Sequence, residues 1–413
     1  MKNRSIEILA VLTVVAGGLG LSHPVGAQID PTASGSTAKL DYDAGYSHTA
    51  SFGGGLEDVQ QRAFVSGELQ YMNGKETAPL AVTYSGGYGA TISGSAGGAG
   101  LFQHLNITQG YLARRSSITI SDNVGYYPQS AANGFSGIPG VGLLPGQTAL
   151  PSSSVYQLNT RNLTNTVGAT YVRPLNYMTG VSLSGNYTIL RFPDGGGFDI
   201  NEEVAQPSMR WRLNARNTAS VQYAFTHFSY VGSTFGMQTQ SVQPSYTRVW
   251  SRRLTTSLSA GPEWVESSDS AIVPSSLGIA GGATASYAGK KMSGTLNYTR
   301  STSAGGNLTT QIGTKNNLVR LDVTRGFGRN LTLSGTASYY RTEAYLQPGV
   351  VNFRDVAADA TERLGRYVTL SASYSAIEQS SSLATPANAL IGLTHVLGFT
   401  VAYHPRERHY TSK

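Results

Sequence analysis

The stretch from Arg363 to Glu378 reads R-L-G-R-Y-V-T-L-S-A-S-Y-S-A-I-E. After a tight basic turn, Arg363-Leu364-Gly365-Arg366, its positions separate into two sets. Val368, Leu370, Ala372, Tyr374 and Ala376 are apolar, whereas Thr369, Ser371, Ser373 and Ser375 carry hydroxyls. Successive strand side chains point to opposite faces, so one face is apolar and the other hydroxylic. About ten residues at this period suit a tilted strand that crosses a bilayer. Nearly the whole chain repeats this unit.

Alternation, punctuated by Gly, Asn, Pro and charge, predicts strands near 38–47, 59–72, 80–90, 101–112, 116–127, 156–172, 178–191, 200–213, 217–230, 236–250, 254–266, 276–288, 291–302, 312–326, 331–345, 351–364, 367–378 and 390–403. No segment shows a sustained helical period. The connections alternate in kind. One set is short and basic: Arg114-Arg115, Arg173 to Asn176, Leu213 to Asn217, Ser251-Arg252-Arg253, Gly289-Lys290-Lys291, Gly326 to Asn330 and Arg363 to Arg366, begun by Asn73-Gly74-Lys75. The other set is longer and rich in Gly, Ser and Pro, as in Ser51 to Glu57, Pro128 to Ser154 and Ser380 to Asn388.

The same dyad period recurs at 181–189, 291–299, 319–324 and 331–340. Alternation alone does not separate a membrane barrel from a soluble sandwich, which points its apolar faces inward. The charge content does. At 13 %, it is about half that of an average soluble chain. So many strands with so little charge to solvate an exterior favour an all-β, transmembrane, antiparallel up-and-down β-barrel of about 18 strands, within a range of 16–18.

The N-terminus stands apart. Met1-Lys2-Asn3-Arg4 is basic, Ile6 to Leu21 is largely apolar, and Val25-Gly26-Ala27 offers small residues for cleavage before Gln28. This pattern is that of a secretory signal. The predicted organisation is a signal peptide at 1–27, a short periplasmic leader at 28–37, the barrel at 38–404 and a periplasmic tail at 405–413. With Lys2, Arg4 and Glu7 removed, the formal charge falls from +7 to +6. The chain has no cysteine, hence no disulfide framework and no thiolate metal site.

Aromatic residues gather near predicted strand ends: Tyr126, Tyr127, Tyr171, Tyr177, Trp211, Phe228, Tyr230, Trp250, Trp264, Tyr339, Tyr340, Tyr345, Tyr367 and Tyr403. Amphipathic rings favour the membrane–water boundary, so these read as girdles. Signal, dyad strands, two kinds of connection and aromatic ends together resemble the outer-membrane β-barrel superfamily, its porin-like members in particular, over residues 38–404. Gly398, Val401 and Tyr403 are similar to the C-terminal signal read by the barrel-assembly machinery. Val396 departs from that pattern, which usually has a polar residue there, and the chain continues past the aromatic to Lys413. The resemblance implies the outer membrane as the location, with membrane lipid and the assembly machinery as partners. The texture also resembles porin-like barrels of environmental Gram-negative bacteria, some of which accompany polysaccharide export.

Two features sit awkwardly in this scheme. Pro207, Pro244 and Pro262 fall within predicted strands, where proline removes a ladder donor, so a bulge or strand end is expected at each. The loop from Pro128 to Ser154 holds Phe135, Ile138, Val141, Leu143 and Leu144 among Gly and Pro. Its apolar content predicts an inward plug or lid, against the alternative of a surface loop.

No catalytic constellation emerges. The histidines are scattered, no metal-ligand spacing or nucleophile elbow is present, and the glycine clusters lack the helix of a phosphate cradle. No enzyme activity, cofactor or metal is expected. The basic residues are spread around a rim rather than gathered on one patch, which does not suit nucleic acid. Strand phase places Arg62, Glu68, Arg210, Arg212, Glu263, Arg320, Asp322, Asp355 and Asp359 inward, as a charged pore wall or as internal bracing. The expected function is passive diffusion of small hydrophilic solutes. The alternatives are a conduit for exopolysaccharide, in which tyrosines and hydroxyls would contact sugar, and a structural or adhesive barrel with a closed lumen. No subunit face, and so no oligomeric state, is legible.

Overall fold

The computed structural model describes residues 36–53, 56–73, 75–93, 100–128, 161–193, 199–303, 313–345, 349–382, 391–403 and 408–412. The chain forms one antiparallel sheet closed on itself. Its strands are β1 (Ser36–Gly53), β2 (Leu56–Asn73), β3 (Leu80–Ser93), β4 (Gly100–Ala113), β5 (Ser116–Pro128), β6 (Arg161–Pro174), β7 (Thr179–Arg191), β8 (Ile200–Arg212) and β9 (Asn217–Tyr230). They continue as β10 (Gly236–Val249), β11 (Leu254–Ser267), β12 (Ser276–Ala288), β13 (Met292–Ser303), β14 (Thr314–Phe327), β15 (Leu331–Ala344), β16 (Val350–Leu364), β17 (Val368–Ser381) and β18 (Gly392–Tyr403). Each strand pairs with its sequence neighbours, and β18 closes the ring against β1 through ten pairs, Ala44↔Tyr403 to Gly53↔Thr394. Eighteen strands spaced about 4.8 Å apart and tilted about 40° enclose a cylinder roughly 35 Å across.

The fold is the all-β barrel that the alternation predicts, with three differences. First, β1 and β2 extend to Gly53↔Leu56. The expected loop from Ser51 to Glu57 is thus mostly strand, and two residues remain between the paired ends. Second, a short strand β19 (Arg408–Ser412) pairs with the start of β1, from Leu40↔Arg408 to Ser36↔Ser412. It lies on the edge of β1 that β18 occupies further along. Third, none of the three prolines makes a bulge or ends a strand. The β10–β11 ladder lapses between Ser241↔Glu263 and Ser245↔Ser259 and resumes in the same register. The β8–β9 ladder lapses between Ala205↔Phe225 and Ser208↔Gln222, again without a shift. On their other flanks Pro207, Pro244 and Pro262 stay in register, opposite Leu183, Val221 and Ile279. Each missing donor therefore falls on one seam only, and Pro244 and Pro262 share theirs. Gly261 lies in that lapse. A Cβ there would stand 1.7 Å from the Val242 carbonyl oxygen, so only glycine fits the close approach.

The short basic turns lie at one rim. Gly328 and Gly365 take positive φ of 66° and 76° in two of them, the left-handed conformation that glycine adopts freely. Across the strands whose side chains are described, the apolar phase faces out. Leu69, Ile118, Leu183, Leu258, Leu296, Leu321, Val356 and Leu397 are all exposed. A continuous apolar exterior on a closed sheet is a lipid-facing surface, because closure leaves no backbone edge unpaired. Trp250, Trp264, Tyr367 and Tyr403 are exposed towards the strand ends, as girdle residues should be. Phe228, Tyr230 and Tyr340 are not: they are buried on the inward phase, and the boundary role expected for them is replaced by packing. Proximity to a turn marks height along a strand, whereas its parity decides the face.

Candidate functional site

The inner face of the barrel is the surface on which chemistry can act. On β6 to β13 it is laid with hydroxyl and amide groups that bond from strand to strand. Thr166 meets Thr188 at 3.1 Å, Ser182 meets Ser208 at 2.6 Å, and Ser220 meets Ser245 at 2.5 Å. Thr247 meets Ser257 at 3.0 Å, and the Thr284 hydroxyl donates to Asn297 Oδ1 at 3.0 Å. All of these but Thr166 and Thr188 line a cavity of about 270 Å³, with Gln206, Gln222, Gln243 and the guanidinium-bearing Arg210 on its wall. Arg210 on β8 points to the lumen, and Arg212 follows two residues on, exposed at the basic rim.

The wall of β14 to β16 is acidic. Arg320 donates through Nε and Nη2 to both carboxylate oxygens of Asp322, each at 2.7 Å, and the Thr336 hydroxyl adds a bond to Asp322 at 3.1 Å. The two side chains are 16 % and 41 % exposed, so Asp322 is the more accessible partner of the pair. One step along the sheet, Arg320, Ser338 and Asp355 stand directly opposite one another across three strands. Asp355 is 2 % exposed, and neither its Oδ1 nor the Ser338 hydroxyl has a hydrogen-bond partner among the described residues. Asp359 accepts from Thr361 at 2.8 Å. β8 and β16 are eight strands apart in a ring of eighteen, so Arg210 lies nearly opposite Asp355 and Asp359, while Asp322 on β14 is six strands away. Of the remaining charged positions, Glu68 lies on the inward phase of β2 and accepts from Gln70. The side chain of Arg62 lies outside the described residues.

Glu263 serves a different arrangement. It is buried, and its carboxylate accepts from the Thr302 hydroxyl at 2.8 Å and the Thr302 backbone N–H at 3.3 Å. These bonds pass from β11 to β13, skipping β12, whose pairing with β13 ends at Gly281↔Arg300. Above this point, towards the long loops, lies an apolar cluster of Ile200, Phe228, Tyr230, Phe235, Met237, Val265 and Val273, with Ile272 and Tyr345 packed against it. Val273 is carried in by the loop after β11, which is fastened by the Ser267 hydroxyl donating to the Val273 carbonyl at 2.7 Å. Sequence reasoning missed this cluster. Its strand members, Ile200, Phe228, Tyr230, Met237 and Val265, have the phase of lumen residues but an apolar character, and that contradiction was the available signal. The plug expected between Pro128 and Ser154 lies, beyond Pro128, outside the described residues.

Gly398, Val401 and Tyr403 sit on β18 opposite Thr49, Tyr46 and Ala44. Gly398 is inward, where a Cβ would stand 2.5 Å from the Ser373 hydroxyl, and Tyr403 is exposed on the outer face. Among the described residues no group of three or more His, Cys, Asp or Glu side chains is placed to hold a metal ion.

No protein-family model matches this chain, and no curated protein matches it. Solved structures do. OccK2 (OpdF) of Pseudomonas aeruginosa is 12 % identical, with a TM-score of 0.47 over 89 % of this chain and 97 % of that one. OccK9 (OpdG) of the same organism is 13 % identical, with a TM-score of 0.45 over 89 % and 98 %. OccAB3 of Acinetobacter baumannii is 10 % identical, with a TM-score of 0.44 over 90 % and 99 %.

Proposed function

We propose that the protein is an outer-membrane channel for passive diffusion of small hydrophilic solutes. The observation that carries this reading is the inner face of β6 to β13. Hydroxyls and amides line a cavity of about 270 Å³ there, inside a closed barrel whose exterior is apolar. Barrels of this strand number are wide enough for an aqueous lumen. Polar side chains replace part of a solute's hydration without holding it, which passage requires. Arg210 and Asp322, six strands apart around the inner face, set a field across the lumen that orients dipolar and zwitterionic solutes. Export by a cleaved signal at 1–27 and insertion through Gly398, Val401 and Tyr403 complete the reading.

A polysaccharide conduit is less well supported. Sugar chains slide on aromatic platforms, but the exposed tyrosines, such as Tyr84, Tyr187, Tyr223 and Tyr374, are on the apolar outward phase, and Tyr230 and Tyr340 are buried. The test is conductance of the refolded protein in a planar bilayer, paired with swelling of liposomes in sugars of increasing size. Steady ohmic steps, and swelling that declines with solute size, are expected. A silent bilayer from protein shown to be folded would reject the channel and leave a closed structural barrel.

A further inference from the structure

The rim that bears the short turns is charged in one sense over a long arc. From β10 to β15 its residues include Arg248, Arg252, Arg253, Lys290, Lys291, Arg325 and Arg329, while segments 245–254, 287–293 and 324–331 contain no Asp or Glu. All seven cations are exposed. Three backbone bonds align consecutive turns. Val249 N–H donates to the Arg216 carbonyl, Ala288 N–H to that of Arg253 and Gly326 N–H to that of Lys291, each at 2.8 Å. The basic turn residues therefore recur at one height around the wall.

Strand phase shows which way the patch looks. Arg248 follows Tyr246, and Arg325 follows Val319 and Leu321, on the outward phase. The Arg248 guanidinium lies 3.8 Å over the Trp250 ring, and that of Arg325 lies 4.7 Å over Phe327. Trp250 is fixed in turn by its indole N–H, which donates to Thr256 at 2.9 Å. Stacking holds both cations against the wall, level with the aromatic belt, instead of letting them extend into water. The opposite rim differs. There the outward cations Arg341 and Arg354 are paired with Glu343 and Glu378 at 2.8 and 2.9 Å.

We propose that this outward arc of β10 to β15 binds the headgroups of anionic phospholipids in the leaflet next to the short turns. Stacked guanidiniums supply directional donors to phosphate oxygens, and the turn lysines and arginines supply the surrounding field. The rings seat between headgroup and acyl chain. The proposal does not depend on whether the lumen conducts. A lumen ligand would meet the opposite strand face, and a solvated rim would need neither stacking nor the absence of acids.

Trp250 is a built-in reporter, and the chain has two other tryptophans, Trp211 and Trp264. The full chain carrying Trp211→Phe and Trp264→Phe would be reconstituted in phosphatidylcholine vesicles. Increasing shares of brominated phosphatidylglycerol or brominated phosphatidylcholine would then be added, and quenching of Trp250 followed. Phosphatidylglycerol is expected to associate at least about fivefold more strongly, as one well-placed cation near an anionic surface predicts. High salt should erode the preference through screening. Arg248→Gln with Arg252→Gln and Arg325→Gln should bring it close to one, with barrel formation checked by heat-modified gel mobility. Equal quenching by the two lipids in the parent would overturn the proposal, even if the triple variant failed to fold. Co-sedimentation with peptidoglycan that the triple variant loses, without any lipid preference, would overturn it too and assign the arc to the cell wall.

Discussion

At the residue scale, charge and packing on the inner face separate into groups that solutes meet and groups that hold the wall. Asp322 is exposed and Asp355 is not, although one arginine lies close to both. Asp322→Asn should shift the reversal potential in a salt gradient towards anion preference, and Arg210→Gln should shift it towards cations. Asp355→Asn should shift it less, because a charge at 2 % exposure is covered from the lumen. Equal shifts at Asp322 and Asp355 would show that Asp355 faces open water. Strand phase made these positions readable in the sequence, since alternation states which side chains point inward. Their exposure was not readable. It depends on neighbours from strands tens of residues away, such as Ser338 beside Asp355 or Thr302 beside Glu263. Gly261 makes the same point through shape. Gly261→Leu would drive a side chain into the Val242 carbonyl, and the folded, heat-modifiable band should be lost. Its persistence would mean that β10 and β11 separate readily at their lapse.

At the element scale, the seams differ in strength. The β1–β2 seam has eighteen pairs, the β1–β18 seam ten and the β1–β19 seam five. Ten pairs flanked by Tyr403 and Tyr367 suffice for closure, so truncation after Tyr403 should leave a folded barrel with a lower melting temperature by circular dichroism. A truncated chain that stays unfolded would make β19 part of the closure itself. The proline seams follow another rule. A residue in a closed ring has two flanks, and a proline that turns its nitrogen to one flank leaves the other ladder intact. Pro244→Thr should therefore add a donor to the β10–β11 lapse and stabilise it by about 0.5–1.5 kcal/mol, the usual net value of a hydrogen bond. Slower amide exchange around Ser241 and Ser259 would report it. Sequence reasoning recognised that proline conflicts with a closed sheet. It expected a bulge or a strand end because a single strand does not reveal which neighbour loses the bond.

At the scale of the whole molecule, the described inner face of β6 to β13 is polar towards the short turns and carries an apolar cluster towards the opposite mouth. Val273 and Tyr345 belong to that cluster without belonging to the lumen wall. Val273→Ser with Tyr345→Ala should widen the mouth and raise single-channel conductance. Unchanged conductance would place the narrowest point elsewhere. Strand count, strand order, the lipid-facing phase and the separation of short basic turns from long loops all follow from local alternation and turn chemistry, and the amino-acid sequence by itself determined them. A period of two is a property of neighbouring residues, so a chain can carry it without knowing its partners. Tertiary structure alone decided the extra strand on β1, the one-sided proline lapses, the Glu263–Thr302 link across β12 and the apolar cluster near the mouth. Each joins residues far apart in the chain. Their energies come from register, closure and burial, which exist only once the sheet has met its own first strand.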